Sequence, residues 1–260
     1  MTGHASRPAL ADTVWPAVPP GALVLVPVGS TEQHGPHLPL DTDTVVACSV
    51  ARRVADALPP GPYGRPLVAP PLTYGASGEH ADFPGTMSIG HEALHAVVVE
   101  LARSLSLWAG RVVFVNGHGG NTAALDTALG LLRAEDHDAA WTGCEVPGGD
   151  AHAGRTETSV LLHLDPGRVR LDAAVAGDTR PLAVLLPDLM ARGVRAVSPT
   201  GVLGDPAGAS AEEGRRAMAS MVSTTVRRIT AWTVDDRGRL ADPARPPSVS
   251  RSQGPNAGHP

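Results

Sequence analysis

A chain of 260 residues is long enough to bury one sizeable core and lies near the upper end of what a single domain carries. Hydrophobic residues make up 42% and charged residues 18%, which excludes an intrinsically disordered chain. The formal net charge of -5, with no run of Lys or Arg, offers no electrostatic footprint for nucleic acid or an anionic membrane, so neither is expected as a partner.

Residues 1–21 read as an N-terminal extension. The stretch from Pro8 to Val28 is apolar, but Pro16, Pro19, Pro20 and Gly21 interrupt it and no basic segment leads into it. A signal peptide or membrane span is therefore not expected, and a cytoplasmic location is. Ala22 to Val28 is a continuous apolar run of the kind that fills a strand buried on both faces. Val45 to Leu58 carries apolar residues at mostly helical spacing until Pro59, Pro60 and Gly61 stop it. A short apolar stretch, Leu67 to Ala69, precedes a polar loop, and Glu92 to Ala109 reads as a helix ended by Gly110. Arg111 to Val115 is the clearest strand; the loop NGHGGN, a helix from Thr122 to Ala134 and a weaker strand at Ala139 to Cys144 follow. This β-then-α alternation, with strands apolar throughout, predicts an α/β layered fold: a mainly parallel sheet covered by helices on both faces. Right-handed crossovers then gather the polar loops at the C-terminal ends of the strands. From Asp242 onward Pro, Ser and Gly dominate, which predicts a disordered tail over 242–260.

The loops hold the chemistry. After the first strand comes GSTEQHGPHLPLDTD, in which an extended backbone points Glu32 and His34 to the same side, and a loop doubling back past Gly35, Pro36 and Pro39 can bring Asp43 beside them. His118 follows the third strand between glycines that let backbone approach an ion closely. Asp150, His152 and Glu157 lie in GGDAHAGRTETS, where Glu157 has a competing reading as a helix-start residue that favours the helix dipole. Mixed imidazole and carboxylate ligands suit Zn, Mn or Fe(II), and the spacing does not choose among them. Other nucleophiles fit less well. No G-x-S-x-G elbow is present, NGHGGN lacks the Lys and Ser/Thr of a phosphate loop, and neither Cys48 nor Cys144 has an activating basic neighbour or a second thiol at ligand spacing. Water activated by metal remains.

The run VPVGSTEQHGPHLPLDTDT resembles the signature of the creatininase family, and GEHADFPGTMSIG, FVNGHGGN and HAGRTETS look like further blocks of that family in the same order. The resemblance covers roughly residues 22 to 230 and implies a hydrolase domain over 22–235 with a three-layer α/β/α sandwich, two divalent metal ions, a homo-oligomer and hydrolysis of non-standard amide bonds. Carried over by position, Glu32, Asp43 and His118 would hold one metal, and His34 with the shared Asp43 the other. In creatininase proper a metal-binding Glu stands two residues after the glycine-flanked His, a place taken here by Gly120. Glu157 is the expected substitute ligand. His152 is expected to shuttle a proton to the departing amine, and Ser77, Glu79 and His80 to contact substrate.

GEHADFPGTMSIG, GDAHAGRTETS and SPTGVLGDPAGASAEEG together look most like one branch of the family, the creatininase-like peptidases of mycofactocin biosynthesis. That resemblance implies release of a modified C-terminal Val-Tyr dipeptide from a short ribosomally made precursor peptide. Pro147, Gly148, Gly149 and Asp150 stand before His152 where creatinine recognition draws on aromatic residues, which argues against creatinine as substrate. A hydrolase of a small cyclic amide or formamide, and an inactive metal-binding protein, are the alternatives.

Overall fold

The computed structural model describes residues 9–61 and 64–243. After two short 3-10 turns, β1 (Leu23–Val28) leads into α1 (Thr42–Ala57), β2 (Leu67–Val68), α2 (Gly90–Leu105), β3 (Arg111–Asn116), α3 (Thr122–Ala134) and β4 (Ala139–Gly143). Then come α4 (Arg155–Leu164), α5 (Leu182–Arg192), α6 (Val194–Val197) and α7 (Ala211–Ala231). The four strands are all parallel, in the order β2-β1-β3-β4.

Side chains alternate across the sheet and seed one core on each face. Leu25, Val113, Val115 and Ala140 pack with α1, α4 and α7. Val24, Val26, Val28, Val112, Phe114 and Trp141 pack with α2 and α3. This is the expected α/β/α sandwich. β4, the weaker strand in the sequence, is buried along its whole length. Its outer edge is closed by the segment after α7, where Leu240 N–H donates to Trp141 O and Trp141 N–H to Gly238 O.

Two boundaries differ from the sequence expectation in ways that matter. α1 begins at Thr42, so Asp43 lies in its first turn rather than just before it. The helix read as ending at Ala109 stops at Leu105, and Trp108 and Gly110 instead meet the start of β1: Gly21 N–H donates to Trp108 O and Gly110 N–H to Ala22 O. Residues 165–241, which carried no prediction beyond the resemblance, contain α5, α6 and α7. α7 is opened by an N-cap in which Ser210 Oγ accepts from Glu213 N–H at 3.2 Å, while Ser210 N–H donates to Ser159 Oγ. It packs so closely on α4 that a Cβ on Gly214 would lie 1.8 Å from Ser159 O. The proposed disordered tail lies outside the described residues except for Asp242 and Pro243. Among the described residues no helix is long and apolar enough to cross a membrane.

Candidate metal centre

A sheet of order 2-1-3-4 reverses winding between β1 and β3, and the crevice at the strands' C-terminal ends there is where open α/β sheets bind ligands. Two glycines make the crevice narrow. A Cβ on Gly29, just past β1, would lie 2.5 Å from Thr44 Cα, and one on Gly117, just past β3, 2.4 Å from Asp43 O. The first turn of α1 thus presses onto both strand ends and carries Asp43 between them. The asparagines of NGHGGN tie the loops together. Asn121 Nδ2 donates to Gly29 O at 2.9 Å and its Oδ1 accepts from Ala76 N–H at 2.9 Å, while Asn116 Nδ2 donates to His118 O at 2.7 Å.

Glu32, His34, Asp43 and His118, drawn from two loops and a helix, converge in this crevice and are all buried. Asp43 stands between two imidazoles, with Oδ1 3.1 Å from His34 Nε2 and Oδ2 3.2 Å from His118 Nδ1. Ser30 Oγ also donates to Oδ2, at 2.7 Å. Glu32 Oε2 lies 3.2 Å from His118 Nε2. The His34 ring is aimed by its other nitrogen, 3.1 Å from the carbonyl of Glu32.

Glu157 arrives from the first turn of α4, its Oε2 4.0 Å from His34 Nε2. The same oxygen accepts from Ala153 N–H at 2.6 Å, so Glu157 caps the helix and faces the crevice at once. The N-cap itself is Gly154, and Asp150 satisfies the helix start by accepting from Arg155 and Thr156 N–H. His152 comes from the bend before α4, next to Ala153, which is held at φ 52. His152 Nδ1 lies 3.9 Å from Glu32 Oε1. Three groups of donor atoms are thereby close enough to share a cation: Glu32, Asp43 and His118; His34, His152 and Glu157; and Glu32, His80 and His152.

The electrostatics are those of a site built for positive charge. Burial pushes the Glu32 carboxyl up to about 7 even though His118 pulls it down, and burial likewise pushes Glu157 up to about 7 against the pull of His34. Burial works against charge on His34 and His118, yet the carboxylates beside them hold both imidazoles up to about 10. Asp43 is held well below its ordinary value by His34 and His118 in spite of its burial. Both oxygens of Glu32 are buried without a hydrogen-bond partner. Such orphaned carboxylate oxygens are costly unless a cation meets them, and a set of carboxylates and imidazoles is one that a divalent ion accepts.

The three expected substrate contacts surround His118 and Glu32. Ser77 Oγ is 3.5 Å from His118 Nε2, Glu79 Oε1 is 3.7 Å from the same atom, and His80 Nε2 is 3.4 Å from Glu32 Oε1. Ser77 and His80 are buried in the wall, and Glu79 is partly exposed. Gly120 is what admits Glu79, since a Cβ there would lie 2.5 Å from Glu79 Oε1 and 2.4 Å from His118 Nε2. A cavity of about 240 Å³ opens beside Asp43, His118 and Glu157 and extends past Asp150 to Val146 and Met221. Sequence reasoning passed over Ser30, Gln33, Asn116 and Asn121. Their only signal was a polar side chain in a glycine-rich loop.

The family model described as "Creatinine amidohydrolase" matches residues 11–229. A mycofactocin precursor peptide peptidase of Mycobacterium tuberculosis is 57% identical over 221 residues, covering 84% of this chain and 88% of that one. Among solved structures, a creatininase variant complexed with creatine superposes with a TM-score of 0.69 at 27% identity, covering 86% of this chain and 97% of the other. A second creatininase variant, of Zn-Zn type, gives 0.65 at 27% identity and covers 81% and 90%.

Proposed function

Because the chain belongs to the creatininase family, we propose that it is the peptidase of a mycofactocin precursor peptide, a metal-dependent hydrolase of C–N bonds that releases the modified C-terminal Val-Tyr dipeptide. The observation that carries the metal-dependent reading is Glu32: a fully buried carboxylate whose two oxygens have no hydrogen-bond partner, flanked by Asp43 and three imidazoles. The substrate follows from the 57% identity to a peptidase so named.

Glu32, Asp43 and His118 would hold one divalent ion, and His34 and Glu157 with the shared Asp43 the other. Bound there, two such ions of Zn, Mn or Fe(II) supply a water of lowered pKa and a Lewis acid for the scissile carbonyl. Asp43 suits the shared position because its two oxygens already point to different imidazoles. Ser30 holds that carboxylate in place. His152, buried and oriented by the Gln33 carbonyl 2.8 Å from its Nε2, would accept a proton from the attacking water and pass it to the departing amine. Ser77, Glu79 and His80, grouped within 3.7 Å of His118 or Glu32, would contact the peptide there. We place the enzyme in the cytoplasm as a homo-oligomer; the apolar side chains that α5 exposes, among them Leu182, Val184, Leu186 and Met190, support the oligomer.

The test is a mass-spectrometric assay of the purified protein on the modified precursor peptide, with creatinine and a formamide in parallel, before and after chelation. Release of the dipeptide alone, abolished by chelator and restored by metal, is expected. Cleavage of creatinine or the formamide instead would reassign the substrate, and metal binding without any hydrolysis would overturn the enzyme reading. Light scattering checks the subunit number.

A further inference from the structure

Gln33 sits between two of the proposed ligands, Glu32 and His34, yet sends its side chain the other way, into the imidazoles of His80 and His152, whose ring centroids are 4.5 Å apart. Gln33 Oε1 accepts from Gly35 N–H at 2.8 Å, which settles which end of the amide is Nε2. The two hydrogens on Nε2 then have two acceptors: His80 Nδ1 at 2.7 Å and Gly201 O at 3.1 Å. His80 Nδ1 must be the lone-pair nitrogen, so the proton of that neutral ring sits on Nε2, the edge turned to Glu32 Oε1.

His152 is governed by the same residue through its main chain. His152 Nε2 lies 2.8 Å from the carbonyl of Gln33, an acceptor only, so this nitrogen carries the proton and Nδ1 keeps its lone pair. The 3.1 Å approach of Gln33 Nε2 to His152 Nε2 is therefore a contact between two N–H groups, not a hydrogen bond. In its neutral form each ring therefore has one tautomer, His80 through the lone pair that meets Gln33 Nε2–H and His152 through the Nε2–H that meets the Gln33 carbonyl.

We propose that Gln33 is a positioning residue that sets the tautomers of both imidazoles and so gives the site one donor and one base: His80 turns an Nε2–H toward Glu32, and His152 turns an Nδ1 lone pair toward it. Two consequences follow. The trio of Glu32, His80 and His152 has a single free imidazole lone pair, so His80, with its proton on the Nε2 that lies 3.4 Å from Glu32 Oε1, is not a ligand of a third cation. The proton that His152 handles travels through Nδ1. The tautomers rest on geometry alone; only the proton-transfer consequence rests on the hydrolase reading above.

The experiment is long-range proton–nitrogen NMR on the full zinc-loaded chain labelled with 15N-histidine, the two rings being assigned with His80→Gln and His152→Gln. The wild type should show both rings protonated at Nε2. Gln33→Glu keeps the shape but puts an acceptor opposite His80 Nδ1, so His80 should switch to the Nδ1–H form while His152, held by a main-chain carbonyl, stays as it was. A merely structural role would shift resonances without this selective switch. If Gln33→Glu does not fold, Gln33→Met is read in the same way: His80 should lose its single tautomer and His152 keep it. His80 unchanged in the folded variant, both rings switching together, or an Nδ1–H form of either ring in the wild type would overturn the proposal. In peptide cleavage, kcat of Gln33→Glu should fall about 10- to 100-fold, as for other residues that orient the groups around a metal site, with KM nearly unchanged.

Discussion

Glu32 should cost the metal-free protein stability, and Glu32→Gln tests this directly. The carboxyl is fully buried, its oxygens accept no hydrogen bond, and burial raises its pKa from 4.5 to about 7 despite the attraction of His118. At 1.36 kcal/mol per pH unit, that gap means that ionised Glu32 destabilises the chelated fold by about 3 kcal/mol. The sign follows from linkage. An acid whose folded pKa lies above its unfolded value binds its proton more tightly when folded, so the stability it contributes is complete below pH 4.5 and is lost as pH rises through about 7. Glu32→Gln removes the charge while keeping the shape. In calorimetry of the chelated protein at about pH 8, the variant should melt about 6–12 °C above wild type, at about 2–4 °C per kcal/mol for a chain of this size. Near pH 4.5 the two should coincide. Zinc should then reverse the order, because a ligand at about 1,000 times its Kd stabilises the wild type by about 4 kcal/mol and the variant lacks the carboxylate to hold it. A chelated variant no more stable than wild type at about pH 8 would refute the reasoning, since Glu32 would then not be a desolvated charge. A variant that gained as much from zinc as wild type would show that Glu32 is not a ligand.

His152→Ala should lower kcat by about 100- to 10,000-fold, the range for a lost general acid or base, with both metals retained by elemental analysis. Full activity, or loss of both metals, would make the assigned role wrong. Gly120→Ala places a Cβ 2.4 Å from both His118 Nε2 and Ala76 O, so the His118 ring must move. Metal affinity measured by chelator competition should drop by about 10-fold or more, whereas wild-type affinity would mean that His118 is not held where the geometry puts it. Gly214→Ala sets a Cβ against Ser159 O at 1.8 Å, where α7 meets α4. Urea denaturation should show a loss of at least about 1–3 kcal/mol from overpacking, and an unchanged midpoint would contradict the close approach of the two helices.

The layered fold was legible because central parallel strands are buried on both faces and read as unbroken apolar runs, as Leu23–Val28 and the Val112 to Val115 centre of β3 do. α3 was legible to the residue, since a glycine loop precedes it and its apolar spacing is clean. The helices beyond Leu164 escaped. α5 exposes apolar residues and contains Pro187, so its pattern does not separate one face from the other, whereas the Ser210 N-cap of α7 was readable and was passed over. His118 could be picked out by its glycine neighbours. Glu157 had two readings because its carboxylate takes part in both a helix cap and the crevice, and no spacing rule separates roles that one oxygen plays together.

By itself the order of residues determined that strands and helices alternate and which loops carry carboxylates and imidazoles, since those follow from short-range periodicity and turn chemistry. Only the folded chain decided that Asp43 stands between His34 and His118, that Glu79 enters the space left at Gly120, and that Gln33 reaches His80 and Gly201. Those contacts join residues as far as 168 positions apart. They depend on how closely helices and loops approach across a sheet edge, a distance that no local pattern encodes.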